Sequence, residues 1–196
     1  MNFDYNEEQR LLAASIRRFA EKDYGFDARR KIVAGPEGWS RAVWSTLAEL
    51  GVLGLPVPAE FGGFGGGAVD LVSVMEMIGE ALVVEPVLAT VGLGARFVAR
   101  GGTATQQARL LPAVAGGELI LAFAQTERGA RYDLAHIAMR ARRTSEGYVL
   151  DGDKRVVLHA PCAQRLHRLG AHRRASSRRP AASASFSSTP AHRVSP

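Results

Sequence analysis

The stretch that decides the fold runs from Gln106 to Asp133 and reads QQARLLPAVAGGELILAFAQTERGARYD. Its first part carries leucines and a valine at helical spacing and stops at the glycine pair 116–117. An apolar run from Leu119 to Ala124 follows and leads into a polar turn at residues 125–129. A helix, a double-glycine stop, a strand and a polar loop with exposed backbone together indicate a place where main-chain groups meet a flat ligand.

Residues 1–117, upstream of this turn, predict an all-α helical bundle. Asn6 followed by Gln9 is typical of a capping box at the start of a first helix, and Ser40 is a typical cap for a second. Apolar residues then recur every three or four positions in each helical segment. The remaining three helices are predicted to begin near Asp70, Pro86 and Thr105.

Residues 118–163 change to the period of two that is typical of strands. Ile137, Met139 and Ala141 alternate with neighbours that face the other way. Further apolar runs at 148–150 and 156–158 predict consecutive antiparallel strands. About four strands are few for a sheet that must close on itself, so this region is predicted to be an incomplete antiparallel β-barrel.

Residues 164–196 are rich in arginine, serine, alanine and proline and contain neither lysine nor acid. Such a composition buries too little apolar surface to offset the entropy of ordering, so it predicts a disordered basic tail. The formal net charge of +6 resides in this tail, and the remaining chain is close to neutral. A neutral body excludes a global polyanion-binding surface, and we expect the tail to have only nonspecific affinity for nucleic acid.

Bulk features of the chain place it outside several classes of protein. The acidic, polar N-terminus lacks the pattern of a secretory signal, and no apolar run is long enough to predict a membrane span. A single cysteine, Cys162, excludes an intramolecular disulfide framework. The residues Asp151 to Asp153 favour a hairpin turn over a calcium loop, and no metal site is predicted. We expect a cytoplasmic protein.

Four blocks of sequence, in order, resemble one enzyme family. They are WSTLAELGVLGLPVPAEFGGFGG at 44–66, Val-Glu-Pro at 84–86, the stretch at 106–133, and GYVLDGDKRVVLHAPCA at 147–163. Together they are similar to the acyl-CoA dehydrogenase family, across its N-terminal helical domain and the start of its middle β domain. The resemblance implies a helical N-terminal domain, a central β-barrel and a helical C-terminal domain.

The resemblance also implies a reaction. Members of the family use FAD to oxidise an acyl-CoA thioester to the enoyl-CoA, with a carboxylate base removing the α-proton and hydride passing to the flavin. Electrons then pass to an electron-transfer flavoprotein, and the enzymes are normally homo- or hetero-oligomers. The base and many cofactor contacts belong to the C-terminal domain, so no catalytic residue is assigned among residues 1–163.

Several positions of this chain match the family's binding sites. The resemblance assigns flavin contacts to the residues after the strand, and places a short apolar segment where the family has its flavin-stacking strand. It places Tyr132 where the family has a serine near the thioester. The cofactor-binding positions are Phe123, Gln125, Thr126, Val156, Val157 and Leu158.

The chain departs from the family pattern at three of these points. The family's Gly-Ser-Asp sequence is replaced by 131–133, Arg-Tyr-Asp, the stacking tryptophan by Val156, and the threonine two residues later by Leu158. These changes remove a ring contact and a hydroxyl. They predict a divergent or subunit-type member of the family.

Two alternatives remain at the level of the whole chain. The abrupt change of composition at residue 164 predicts a truncated chain whose last residues, 164–196, are read out of frame. In the first alternative the chain is part of a flavin-dependent dehydrogenase. In the second it is a non-catalytic assembly module that pairs with a full-length paralogue.

Two motifs also have an ordinary structural interpretation. Glu127 could act as an acid or base, but a loop carboxylate that accepts backbone N–H groups is the favoured interpretation. The glycine cluster at 62–67 could cradle phosphate. It lacks a preceding strand and a following lysine, so a turn between helices is favoured.

Overall fold

The structure is a computed structural model that describes residues 4–145, 147–172 and 181–187. The chain divides into two compact units, Met1–Ile120 and Leu121–Pro196. In its described residues the first unit is helical, and the second carries the strands. The predicted α+β class, with a helical bundle followed by an incomplete sheet, is confirmed. No helix among these residues is both long and apolar enough to cross a membrane.

In its described residues the first unit contains six α-helices, one π-helical segment and the short 3-10 helix Ala59–Phe61. The segment Leu88–Ala95 is a π-helix that continues directly into α5, where the sequence predicts one regular helix from Pro86. The α-helices are α1 Glu7–Asp23, α2 Phe26–Ala34, α3 Arg41–Glu49, α4 Ala68–Glu80, α5 Arg96–Gly101 and α6 Ala104–Ala115. Helix α2 has no counterpart in the sequence pattern, because it buries no side chain and has no apolar stripe.

The helix caps are formed by the residue types that the sequence indicates. Asn6 accepts a hydrogen bond from the Gln9 amide at 2.8 Å, and the Gln9 side chain accepts one from the Asn6 amide at 2.8 Å. Ser40 caps α3 in a similar way. Asp70, near which the sequence predicts the start of α4, is the third residue of that helix and accepts the Gly67 amide at 2.6 Å. The helix therefore begins earlier, at Ala68.

Most helices of the first unit bury one apolar face in its core. Helices α1 and α4 pack against each other, and α5 and α6 form a second contact. Burying one aliphatic side chain of this size stabilises a fold by about 1.5–3 kcal/mol. Fully buried members include Ile16, Leu47, Val74, Val98 and Leu111.

The described part of the second unit contains five strands in one sheet. The strands are β1 Leu121–Ala124, β2 Arg140–Thr144, β3 Gly147–Asp151, β4 Arg165–His172 and β5 Ala181–Ser187. Strands β2 and β3 are antiparallel, with Ala141 opposite Leu150. Strand β4 is central: it pairs in parallel with β1 and, at one position, with β2, and it pairs antiparallel with β5.

Three expectations for the second unit are corrected. The run 156–158 is not a strand, because Val156 adopts the left-handed conformation with φ 52°. The pairing of β1 with β4 is parallel rather than antiparallel, an arrangement that the long connection between the two strands permits. Strands β4 and β5 lie in the segment predicted to be disordered, where pairing of β4 with β1 and β5 gives their main-chain groups hydrogen-bond partners. Residues 173–180 and 188–196 of that segment lie outside the described residues.

Candidate functional site

The candidate site is the loop that leaves β1, residues 125–127. Strand β1 is buried at its first, second and fourth positions, and Phe123 is half-buried. Gln125 is half-buried and Thr126 is exposed, whereas Glu127 is buried again, with 5% of its surface accessible. The loop therefore presents residue 126 to the outside while the residues on either side of it face inward.

A buried ion pair holds this loop. The Lys154 ammonium lies 2.7 Å from Oε1 of Glu127, and the two side chains are 4% and 5% exposed. The same ammonium donates to the main-chain oxygen of Gln125 at 3.0 Å. One cation thus contacts the residues immediately before and after Thr126.

The Glu127 carboxylate accepts two further hydrogen bonds, from main-chain amides. Oε2 accepts the Ala138 amide at 2.6 Å, and Oε1 accepts the Met139 amide at 3.0 Å. Burial acts to raise the pKa of Glu127, but the hydrogen bonds from Lys154 and the two amides outweigh burial and lower that pKa below its usual value. Glu127 is therefore an ionised structural anchor, which confirms the favoured interpretation of this residue.

Two other contacts of the loop involve main-chain oxygens. The Thr126 oxygen accepts the Arg155 amide at 2.8 Å. The Gln125 side chain donates to the main-chain oxygen of Leu134 at 3.0 Å. The loop is consequently tied to residues 154–155 on one side and to residues 134–139 on the other.

The predicted stacking segment begins at the residue after these contacts. Val156 follows Arg155 and is 80% exposed, Val157 is half-buried, and Leu158 is 48% exposed. The structure therefore brings the start of the segment beside the loop, but as irregular backbone rather than as a strand. Tyr132, the predicted substrate position, is 99% exposed.

Lys154 is the residue that sequence reasoning missed. It lies within the Gly147–Ala163 block, where its charge resembles that of any surface lysine. Its partner carboxylate is 27 positions earlier in the chain, beyond the reach of a local pattern. One feature of the sequence could have indicated Lys154. The blocks 106–133 and 147–163 both resemble flavin-binding sequence, and they carry residues of opposite charge.

The glycine cluster at 62–67 forms a turn and not a phosphate cradle. Its amides are already used: Gly63 donates to Pro58, Phe64 to Gly54, Gly65 to Val57, and Gly66 to Leu55. A phosphate cradle needs several amides that point to a common centre. The favoured interpretation as a turn between helices is confirmed.

Comparison with known proteins identifies a family for the helical unit of the chain. Residues 6–118 match the family model described as "Acyl-CoA dehydrogenase, N-terminal domain". Mitochondrial isovaleryl-CoA dehydrogenase of Bos taurus is 32% identical over 166 residues, which cover 81% of this chain and 38% of that protein. The (2S)-methylsuccinyl-CoA dehydrogenase of Cereibacter sphaeroides is 30% identical, over 79% of this chain and 28% of its own length.

Solved structures show the same similarity. A variant of the Tcur3481–Tcur3483 steroid ACAD superposes with a TM-score of 0.77 at 28% identity, over 85% of this chain and 45% of that one. The FAD complex of PigA superposes with a TM-score of 0.75 at 25% identity, over 89% and 46% of the two chains. The chain therefore spans less than half the length of these relatives.

Proposed function

Because the chain belongs to the acyl-CoA dehydrogenase family, we propose that it carries the flavin-positioning part of an FAD-dependent oxidation of an acyl-CoA thioester. The observation that carries this proposal is the anchored loop at 125–127. Lys154 holds the residues on either side of Thr126, the Arg155 amide holds the Thr126 main-chain oxygen, and Thr126 itself remains exposed.

The residues present fit one edge of a flavin. The pyrimidine end of the ring system offers carbonyl and N–H groups, which pair with main-chain amides and a hydroxyl such as that of Thr126. Phe123 and the exposed apolar side chains of Val156 and Leu158 offer surface for the ring itself. When bound, FAD supplies the acceptor for hydride from the β-carbon.

The proposed role of this part of the chain is positioning and not proton abstraction. Glu127 is buried, bonded to Lys154 and to two amides, and held ionised by a lowered pKa. A general base works best when its pKa lies near the operating pH and its oxygen reaches the substrate. The family resemblance assigns that base to the C-terminal helical domain.

The substrate and partners are proposed from the family alone. The relatives are named for isovaleryl-CoA and for (2S)-methylsuccinyl-CoA, so the common feature is an acyl-CoA thioester. Tyr132 takes the place of the serine that lies near the thioester, and its exposed ring would contact the substrate. We propose an electron-transfer flavoprotein as electron acceptor and an oligomeric assembly.

A second candidate function is an assembly module that pairs with a full-length paralogue. It is favoured by exposed apolar side chains on the helical unit, including Val72 at 50%, Leu88 at 42% and Leu93 at 37%. The similar steroid ACAD also bears two protein names joined together, Tcur3481–Tcur3483. Under this alternative the chain forms a stable hetero-oligomer but binds no flavin of its own.

Titration of the purified chain with FAD tests the proposal. Flavin fluorescence and the visible absorption band of the flavin report binding, and Thr126→Ala is expected to weaken it about fivefold, the effect of one hydrogen bond. Thr46→Ala is the matched control, because that hydroxyl bonds the Ala42 oxygen within α3. A folded chain that binds no FAD, alone or with a paralogue, would overturn the proposal.

A further inference from the structure

We propose that Lys154 is a positioning residue that sets the orientation of the peptide bond between Gln125 and Thr126, and thereby aims the Thr126 amide at the flavin. This inference rests on the proposed function and adds a residue that the sequence pattern does not reveal. It follows from the two bonds of one buried ammonium, to the Gln125 oxygen at 3.0 Å and to Glu127 at 2.7 Å.

The planarity of the peptide unit links the Gln125 oxygen to the Thr126 amide. In a trans peptide, the oxygen of one residue and the N–H of the next point in opposite directions. The structure contains no cis peptide bond among its described residues. Holding the Gln125 oxygen on the Lys154 ammonium therefore directs the Thr126 N–H away from Lys154.

Different groups hold the position of the loop and the orientation of this peptide. The Thr126 oxygen is held by the main-chain amide of Arg155 at 2.8 Å, a bond that no side-chain substitution at 154 removes directly. The Gln125 oxygen, in contrast, is held by a side chain. Lys154 can therefore be changed while a main-chain bond still ties the loop to the same segment.

The ion pair makes this support rigid. The Glu127 carboxylate is fixed by the amides of Ala138 and Met139 at 2.6 and 3.0 Å, so its position does not depend on Lys154 alone. An ammonium bonded to a fixed carboxylate has little freedom to leave the Gln125 oxygen. Because the pair is almost fully buried, water is a poor competitor for these bonds.

The experiment compares two neighbouring substitutions that remove the same charge. Lys154→Met keeps the apolar stem and removes the donor, and Arg155→Met is the matched control, because Arg155 is exposed and its amide is retained. We expect Lys154→Met to weaken FAD binding about tenfold, whereas Arg155→Met changes it less than about twofold. Lys154→Arg, which restores a charged donor, is expected to recover part of the affinity.

A double-mutant cycle separates positioning from general stability. Thr126→Ala removes the hydroxyl and keeps the amide, but both groups belong to the residue whose peptide Lys154 orients. If Lys154 acts through this peptide, its loss also misplaces the hydroxyl, and Thr126→Ala should have a smaller effect in the Lys154→Met background than in the wild type. The flavin absorption spectrum should also lose its protein-induced shift in Lys154→Met. Independent, additive effects with an unchanged bound spectrum would overturn the positioning role.

A charge-neutral double variant tests the other explanation, that Lys154 merely compensates a buried carboxylate. Lys154→Met combined with Glu127→Gln leaves no unpaired charge. Recovery of FAD affinity in this double variant would overturn the inference, and a persistent defect would support it.

The carbonyl carbon chemical shift of Gln125 reports on its hydrogen bond from Lys154 without any flavin, so the positioning role can fail separately from the proposed function. We expect this chemical shift to change in Lys154→Met and to stay the same in Arg155→Met. If the wild type binds no FAD, the proposed function fails and this chemical shift still decides whether Lys154 holds the peptide. Equal chemical shifts in both variants would overturn that role.

Discussion

Replacing Gly63 by alanine is expected to destabilise the helical unit more than most single-methyl changes. Gly63 packs against main-chain atoms in the turn that follows Phe61. An added Cβ would overlap the oxygen and the Cβ of Val57, and it would lie 2.6 Å from the oxygen of Gly54. Two of these atoms belong to the backbone, which cannot rotate away as the end of a side chain can.

The size of the effect follows from what must move. Relief of the overlap separates the turn from residues 54–57 and stretches two hydrogen bonds, Phe64 to Gly54 at 3.0 Å and Gly65 to Val57 at 2.8 Å. Overpacking costs about 1–3 kcal/mol, and each weakened hydrogen bond costs about 1 kcal/mol. We therefore expect Gly63→Ala to lower the free energy of unfolding by about 3–5 kcal/mol.

Urea unfolding followed by tryptophan fluorescence measures this change, because it reports on the helical unit that contains Gly63. The chain has two tryptophans. Trp39 and Trp44 are both buried in the helical unit, at 7% and 3% exposure. With a slope of about 2 kcal/mol per molar, the midpoint should fall by about 1.5 M or more.

The matched control is the same substitution where there is room. Gly79 lies in the last turn of α4 and is exposed, and its added Cβ would meet no atom within 4 Å. Alanine has the higher helix propensity, so Gly79→Ala should raise the free energy of unfolding by about 0.5–1 kcal/mol. A Gly63→Ala chain within about 1 kcal/mol of the wild type would refute the packing argument.

Three further changes test other parts of the structure. Burial raises the pKa of Glu85 above its ordinary value of 4.5, so the folded carboxyl holds its proton more tightly than the unfolded one. The free energy of unfolding should thus fall as pH rises through and above 4.5, and urea unfolding of Glu85→Gln should show a flatter pH profile. The pKa of Glu127 is lowered despite its burial, because hydrogen bonds dominate, so its contribution is present above 4.5 and is lost as pH falls through the lower folded value. The protection factors of the amides of residues 138–139, which correct the exchange rate for its intrinsic pH dependence, should fall in acid, and Glu127→Gln should show low protection at neutral pH as well; equal protection in both chains would contradict this role. Asn6→Ala should cost the helical unit about 1 kcal/mol by thermal unfolding, and an unchanged midpoint would mean that the cap contributes nothing.

Much of the helical unit can be predicted because its signals are local. The bonds between Asn6 and Gln9 join residues three positions apart, and the same is true of the bond that the Val43 amide donates to the Ser40 hydroxyl. Helix α2 is not predicted from the sequence, because it buries no side chain and therefore has no periodic pattern of buried apolar residues.

The sequence predicts where the candidate site lies, but it does not predict which residue holds the loop in place. Thr126 and Gln125 are identified by resemblance, and the structure shows how they are held. Lys154 is not identified in that way, because its bond to Glu127 spans 27 positions and leaves no local pattern. Lys154 and Glu127 become a buried ion pair only because folding brings two distant segments together. No local stretch of sequence contains both residues.

The sequence by itself determined the family, the helical unit and the location of the loop after β1, because caps, glycine stops and apolar periods act over three or four residues. Tertiary structure alone decided three other features. Strand β4 is the parallel partner of β1, Val156 turns left-handed at φ 52° instead of continuing a strand, and Lys154 is the buried partner of Glu127. Each of these depends on bonds between segments that are far apart in the chain, where the free energy of pairing outweighs local propensity.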